Sequence, residues 1–205
     1  VKEKLEALGI PVLVERSSYE THPLGRLEWI RLYGVLFGKE EQADAFYQEQ
    51  VAKVEPIMKK DATDQTMAFF YVTSNGSVNV RKPGDYIAKM IQLAGGSYLP
   101  QAVKEDDDNA LSTMNMQMEE FYAQAKDADI LIYNSTIEGE LDSVDTLLAK
   151  SPLFADFKAV KEGKVYCTTA DFFQETTGIA SFIEDLHAVM TGDTSHELKY
   201  LKEVK

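Results

Sequence analysis

The stretch Tyr19-Glu20-Thr21-His22-Pro23-Leu24-Gly25-Arg26-Leu27-Glu28-Trp29-Ile30 decides how the chain is organised. It places a tyrosine, a histidine and an arginine at the start of a predicted helix, on a connector between two α/β halves. The half before it is short: residues 1–9 have the pattern of a helix end, and residues 10–15 that of a strand with no earlier strand to pair with. The chain is therefore predicted to be the rear part of a two-lobed protein.

Composition limits the classes of partner. The chain has 205 residues, a formal net charge of −13 and 44% hydrophobic residues, enough for a globular core. The acidic balance disfavours nucleic acid and anionic membrane surfaces, which attract Lys- and Arg-rich proteins. No uninterrupted apolar stretch reaches the roughly 18 residues of a membrane span. If the protein is exported, we expect its targeting segment to lie outside this chain.

Cysteine and histidine are too sparse for most catalytic or metal chemistry. Cys167 is the single cysteine, and its flanking residues predict a strand and a buried thiol. The three histidines are His22, His187 and His196, and a zinc or manganese site needs several converging ligands. We therefore expect neither an intrinsic metal site nor a catalytic triad, and the chain is not predicted to be an enzyme.

A long helix follows the connector. Residues 22–37 predict one helix, ended by Gly38, and residues 40–60 predict a second, with Pro56 expected to kink its last turn. The second helix has one apolar face with three- and four-residue spacing, formed by Ala43, Tyr47, Val51, Val54 and Met58. At about 1.5 Å per residue it spans roughly 30 Å. We expect it to be a rigid helix that joins two lobes.

The remainder alternates short apolar strands with helices. Strands are predicted over residues 67–72, 78–80, 129–133 and 165–168, and helices over 86–93, 118–125, 143–149 and 177–190. This alternation predicts crossover connections, a mostly parallel sheet and the α/β class. The predicted organisation is the end of a first lobe and a connector at 1–37, an inter-lobe helix at 38–61, and a Rossmann-like C-terminal lobe at 62–205.

Several stretches together resemble one protein family. They are residues 8–12, His22-Pro23-Leu24-Gly25-Arg26, residues 28–30, Arg81-Lys82-Pro83-Gly84-Asp85-Tyr86-Ile87, residues 93–96, 119–121, 127–132, and Leu153 through 163–166. Their order and spacing resemble the iron-siderophore, haem and cobalamin branch of ABC-transporter substrate-binding proteins. The resemblance implies two Rossmann-like lobes joined by one long helix, and a cargo that is an iron chelate, haem or corrinoid. It also implies a membrane permease as partner, no intrinsic cofactor, and an extracytoplasmic location, periplasmic or lipid-anchored.

Candidate ligand-binding residues follow the predicted strands, because ligands of open α/β sheets bind beyond the carboxyl ends of the strands. This places Tyr71, Tyr133 and Asn134 near the cleft, together with the segment after residue 168 that carries Phe172, Phe173 and Gln174. Two adjacent aromatic residues cannot both point into one core from a regular strand, so one of the two phenylalanines is predicted to line the cleft. The alternative is that both pack in the core.

Basic and polar residues complete the predicted site. Arg81 precedes a helix and offers a forked donor for acid groups, the alternative being a solvated basic loop with Lys82. His22 and Arg26 lie one helical turn apart, with Tyr19 just upstream; the alternative for His22 is helix capping. We expect Arg81, Tyr133 and Phe172 or Phe173 to face one open surface with Tyr19, His22 or Arg26.

Two acidic residues are candidates for permease docking. The resemblance implies one exposed glutamate per lobe that pairs with permease arginines, and Glu119 or Glu120 occupies that position in the C-terminal lobe. The alternative is that both acids favour the helix dipole.

Two further classes remain open. A metal-cluster scaffold with related lobes is disfavoured because cluster ligation needs several cysteines. A sensor or interaction domain that uses only the C-terminal lobe would be recognised by a signalling domain elsewhere in the full-length gene.

Overall fold

The computed structural model describes residues 1–101, 113–172 and 175–205. The helices in these ranges are α1 (Lys2–Glu6), α2 (Pro23–Phe37), α3 (Glu40–Met58), α4 (Tyr86–Leu93), α5 (Met118–Ala125), α6 (Ser135–Glu138), α7 (Val144–Lys150), α8 (Lys158–Lys161) and α9 (Ile179–Thr191). The strands are β1 (Thr66–Val72), β2 (Val78–Arg81), β3 (Ser97–Leu99), β4 (Thr113–Met116), β5 (Ile130–Tyr133), β6 (Val165–Thr168) and β7 (Leu201–Glu203). Short 3-10 turns cover Ser17–Tyr19, Pro152–Asp156 and Ala170–Phe172.

The described strands form one sheet in the order β4-β2-β1-β5-β6-β7, with β3 paired to the first half of β1. The pairs β1–β3, β1–β5 and β5–β6 are parallel, and β2 and β7 run opposite to the other described strands. The sheet is thus mostly parallel in direction, and the predicted α/β class is confirmed. Because β1, β5 and β6 are parallel, their carboxyl ends meet at one edge.

Helices cover both faces of the sheet, so its central strands are buried on both sides. Phe69 of β1 belongs to a core on the side of α3, α4 and α9. Phe70, the next residue, belongs to a second core on the side of α5, where it contacts Phe121 and Phe154. Successive side chains of a strand point to opposite faces, which explains the continuous apolar run of β1.

The prediction of one long helix after the connector is confirmed by α3, which is continuous over Glu40–Met58 and includes Pro56. It packs against α2 and α9, and its buried residues are Ala43, Gln50 and Val54. The helix ends before residue 60. Its role as a link between two lobes, and the predicted division at residues 37 and 61, stay predictions.

The strand predicted for residues 10–15 is wrong. Residues 10–16 have no regular secondary structure, and Leu13 and Val14 are 61% and 50% exposed. A strand needs a neighbour for its backbone groups, and no described strand pairs with this segment. Three described strands, β3, β4 and β7, were not among those predicted. Each has only three or four residues and no continuous run of apolar residues.

Candidate functional site

A cavity of about 530 Å³ lies where the carboxyl ends of β1, β5 and β6 meet, on the side of the sheet that carries α4 and α9. This volume is within the usual range of small-molecule sites. Tyr71 from β1, Asn134 after β5 and Phe172 after β6 all line it. The other lining residues are Ser17, Ser18, Arg26, Asn79, Arg81, Tyr86, Met90, Thr113, Thr136, Ile137, Glu175, Thr176 and Ile179.

The backbone of Arg81, the last residue of β2, is hydrogen-bonded through both its amide and its carbonyl group. The Tyr98 hydroxyl accepts a hydrogen bond from the Arg81 amide at 3.0 Å and donates one to the Arg81 carbonyl at 2.7 Å. Tyr98 is 2% exposed and lies on β3. The tyrosine therefore fixes the position from which the Arg81 guanidinium reaches the cavity.

Asp85 is the counter-ion of Arg81. Its side chain is 1% exposed, and one of its oxygens, Oδ2, lies 3.7 Å from Nη1 of Arg81. Its other oxygen caps α4 by accepting the Ile87 amide hydrogen at 2.9 Å. Burial raises the pKa of Asp85 above its ordinary value, and the positive charges of Arg81 and Arg26 oppose that rise.

Arg26 connects the segment 17–20 to the cavity wall. Its Nη2 and Nε atoms donate to the carbonyl oxygens of Ser18 and Glu20 at 2.7 and 3.2 Å. Its guanidinium carbon lies 3.7 Å from the centre of the Tyr86 ring, a stacking geometry. Trp29 adds a further hydrogen bond to this segment, since its indole nitrogen donates to Glu20 Oε1 at 3.1 Å. The segment 17–20 is thereby held against the start of α2.

The other two predicted connector residues lie outside the lining set. Nδ1 of His22 accepts the Leu24 amide hydrogen at 3.2 Å, which is the capping alternative. Burial lowers the pKa of His22 below its ordinary value, and the positive charge of Lys89 lowers this pKa further. Tyr19 is 58% exposed, and its ring contacts the Arg16 guanidinium.

Phe172 lines the cavity and also packs against aromatic residues of the core. Its ring centre is 4.2 Å from that of Phe182, and it contacts Tyr200. Phe172 therefore combines the two roles that the sequence left open. Phe173 and Gln174 lie outside the described residues.

Arg81 and Tyr133 do not share an open surface, so that prediction is wrong. Tyr133 is fully buried, and its ring is edge-on to Phe70 in the core on the α5 side. The Arg81 guanidinium lies on the opposite side, 6.0 Å from the Phe69 ring. All four residues of β5 are buried, because β5 pairs with β1 and β6 along its edges and is covered on both faces. The first residue that reaches the cavity is Asn134, whose Oδ1 accepts the Thr136 amide hydrogen and hydroxyl.

Sequence reasoning did not name several polar or aromatic lining residues, among them Asn79, Tyr86, Thr136 and Glu175. Asn79 alternates with two buried valines on β2, a pattern that predicts opposite faces. Tyr86 follows the Asp85 cap directly. For Glu175 and Thr136, the one sequence feature that could have indicated a role in the site is that each lies in a segment that follows a strand.

The arrangement is suited to binding rather than to bond breaking. Two arginines, aromatic rings and amide or hydroxyl groups surround the space, and Glu175 supplies a lining carboxylate. In the described ranges, no group of three or more His, Cys, Asp or Glu side chains is placed to hold a metal ion. Among the helices that the structure describes, none is long and apolar enough to cross a membrane.

The chain belongs to the periplasmic binding protein family, whose model matches residues 2–172. This family consists of solute-binding proteins rather than enzymes, and the family resemblance predicted from the sequence is confirmed.

One curated relative is an uncharacterized lipoprotein of Methanocaldococcus jannaschii, 28% identical over 174 residues. The match covers 83% of this chain but 40% of the relative, so the chain spans less than half of that protein's length. A second uncharacterized lipoprotein of the same organism is 27% identical and matches all of this chain with 53% of its own length.

A solved structure of similar fold is an ABC-type Fe³⁺-hydroxamate transport system protein from Saccharomonospora viridis. It has a TM-score of 0.70 and 20% identity, over 92% of this chain and 64% of that one. At this identity the likeness establishes the fold alone.

Proposed function

We propose that this chain is the ligand-binding and permease-docking C-terminal lobe of an ABC-importer substrate-binding protein. The observation that carries the proposal is the cavity of about 530 Å³ at the carboxyl ends of β1, β5 and β6, with Arg81 and Arg26 in its wall. In the proposed protein this cavity is one half of a cleft between two lobes. The family match and the lipoprotein names of the relatives support an extracytoplasmic location.

The proposed cargo is an iron chelate (a siderophore or haem) or a corrinoid. A guanidinium offers two parallel donors to a carboxylate or to chelating oxygens, and aromatic rings such as Tyr71, Tyr86 and Phe172 provide apolar contact area. A similar fold in a protein of Fe³⁺-hydroxamate transport supports this class of cargo. Arg81, Arg26, Tyr71, Asn134 and Phe172 are the proposed contacts of this lobe.

The proposed docking residues are Glu119 and Glu120. Both are exposed in the first turn of α5. Their exposure supports pairing with arginines of a permease, and the helix dipole also favours acids there. Charge reversal of both residues is expected to abolish import while the ligand affinity of the purified protein stays unchanged.

The test of the cargo uses the two-lobed protein and calorimetry with ferrichrome, haemin and cobalamin. At least one of these should bind. Arg81→Ala should weaken an acid-bearing or hydroxamate ligand by roughly 1.5–3 kcal/mol, the usual worth of a charged hydrogen bond.

Arg31→Ala is the matched control. Arg31 lies on α2, stacks on Tyr47 at 4.1 Å and pairs with Glu28 at 2.9 Å, but does not line the cavity. It should leave affinity unchanged. Equal effects of the two substitutions would remove Arg81 from the site, and failure of all three ligands would overturn the proposed cargo.

A further inference from the structure

A buried carboxylate behind the cavity wall has no part in the contacts proposed above. Asp85 does not line the cavity, yet its Oδ2 lies 3.7 Å from Nη1 of the lining residue Arg81. Its position is fixed, because its Oδ1 caps α4 through the Ile87 amide and its side chain is 1% exposed. An anion that binds Arg81 therefore approaches a guanidinium that already has a fixed carboxylate beside it.

The charged groups at the described part of the cavity are balanced. Arg26 and Arg81 line it on the positive side, and Glu175 lines it on the negative side. Asp85 supplies the second negative charge from behind Arg81. Because a buried charge is poorly screened by solvent, Asp85 acts on a bound ligand more strongly than an exposed acid would.

The two arginines are not equivalent as ligand donors. Two nitrogen atoms of Arg26 already donate to the carbonyls of Ser18 and Glu20. Arg81 meets Asp85 at 3.7 Å, which is longer than a normal charged hydrogen bond. A guanidinium has five N–H donors, so Arg81 can bind a ligand oxygen while Asp85 stays beside it.

We propose that Asp85 sets the charge selectivity of this site: it lowers the affinity for multiply anionic ligands and leaves near-neutral ones unaffected. This inference rests on the proposed function and narrows the class of cargo proposed there. Neutral or singly charged chelates, such as ferric trihydroxamates, are the favoured class, and triply charged ferric tricatecholates are disfavoured.

The first experiment measures this selectivity in the two-lobed protein at pH 7 and constant salt. The probes are ferrichrome, a neutral ferric trihydroxamate, and ferric enterobactin, a triply anionic tricatecholate. Asp85→Asn keeps a good capping residue but removes the charge. It should raise the affinity ratio of ferric enterobactin to ferrichrome at least about tenfold, since removal of a nearby charge at low screening is of that order. An unchanged ratio overturns the proposal.

Asp129→Asn is the control for net charge. Asp129 is largely buried and paired with Lys158 at 2.5 Å, but it precedes β5 at the opposite end of the strands. It changes the formal charge by the same amount and should leave the ratio unchanged. An equal rise in both variants would assign the effect to the net charge of the molecule and not to Asp85.

A second experiment needs no natural ligand, so it separates the two proposals. It compares the rates at which neutral phenylglyoxal and anionic 4-carboxyphenylglyoxal modify Arg81 in this chain, measured by mass spectrometry of the Arg81 peptide. Asp85→Asn should raise the anionic-to-neutral rate ratio at Arg81 about threefold or more and leave that at Arg31 unchanged. If neither chelate binds but this ratio rises, the selectivity of Asp85 stands and the proposed cargo falls. If the ratio does not change, Asp85 does not select by charge.

Discussion

At the scale of single residues, one buried aspartate organises the end of the chain. Asp185 of α9 is fully buried, and its carboxylate accepts the amide hydrogens of Tyr200 at 2.6 Å and Leu201 at 3.2 Å. Nε2 of His196 lies 2.7 Å from its Oδ1. These bonds hold the segment that enters β7, and β7 in turn pairs with β6.

Asp185→Ala is expected to destabilise the fold by at least about 3 kcal/mol, because it leaves buried backbone donors and a histidine without their acceptor. Urea unfolding followed by circular dichroism measures the loss. Asp193→Ala is the matched control: that residue is exposed and accepts from Ser195 at 2.9 Å, so its loss should be below about 1 kcal/mol. Similar losses in both variants would show that Asp185 is not the organising group.

Asp85 gives a pH dependence of stability with a definite sign. Burial raises its pKa in the folded state above the ordinary value of 3.8, so folding favours the protonated acid. The contribution is fully present below pH 3.8 and is lost as the pH rises through the raised value. The stability of the natural protein relative to Asp85→Asn should therefore fall as the pH rises from about 3 to 7, in a series of urea titrations. A relative stability that rises over this range would mean that the ion pair with Arg81 outweighs burial.

Two neighbouring residues at the end of β5, Tyr133 and Asn134, show how far the site could be predicted from the sequence. The rule that ligands bind beyond the carboxyl ends of strands led to Tyr71 and Asn134, which line the cavity. It also led to Tyr133, which is buried in the opposite core. Asn134 reaches the cavity and Tyr133 does not, although the two are adjacent in the sequence. The residue at which β5 ends is set by its pairing with β1 and β6, and an isolated sequence does not specify that pairing.

At the scale of elements, α2 and α3 approach closely at a glycine. A Cβ atom on Gly34 would lie 2.6 Å from the Ala43 Cβ and 3.2 Å from the Lys39 carbonyl oxygen. Neither contact is the end of a flexible side chain, so the helices would have to separate. Gly34 thus sets the distance between the connector helix and the long helix.

Gly34→Ala is expected to destabilise the fold by about 1–3 kcal/mol through overpacking. Helix propensity alone predicts the opposite sign, a gain of about 1 kcal/mol. Gly25→Ala on the same helix is the control, because its nearest contact is the movable Glu20 carboxylate at 3.3 Å. Thermal and urea unfolding of both variants decides between the two effects, and a Gly34→Ala protein at least as stable as Gly25→Ala would exclude close packing here.

Elements with a strong local pattern were predicted well. Helix α3 and strands β1 and β6 have long apolar faces or buried runs, and the structure confirms them. Residues 10–15 are also mostly apolar, but the structure gives them no strand. Strand β7 contains Lys202 and Glu203, and exists because Asp185 and β6 hold it. Short strands of this kind depend on tertiary contacts and not on their own residues.

At the scale of the whole molecule, the charged groups at the described part of the cavity are balanced although the chain as a whole is strongly acidic. The chain has a formal net charge of −13, which repels anions at long range, whereas Arg26 and Arg81 are gathered in the cavity wall. A concave site focuses the field of the charges that line it. The acidic surface therefore disfavours non-specific anions, while the cavity retains local attraction for acid or chelating oxygens.

This chain is expected to supply only part of the ligand binding by itself. The matches cover 40% and 53% of the two curated relatives described above, and in the proposed two-lobed arrangement the cavity is one half of the cleft. Small-molecule sites usually bury most of the ligand surface, so a single wall provides only part of the contact area. The 205-residue chain should bind the same chelate at least about 100-fold more weakly than the two-lobed protein, a difference of about 2.7 kcal/mol. Side-by-side calorimetry measures this ratio, with Arg81→Ala reducing affinity in both forms. Equal affinities of the two forms would mean that this lobe holds the complete site, and the second lobe would then have a role other than enclosing the ligand.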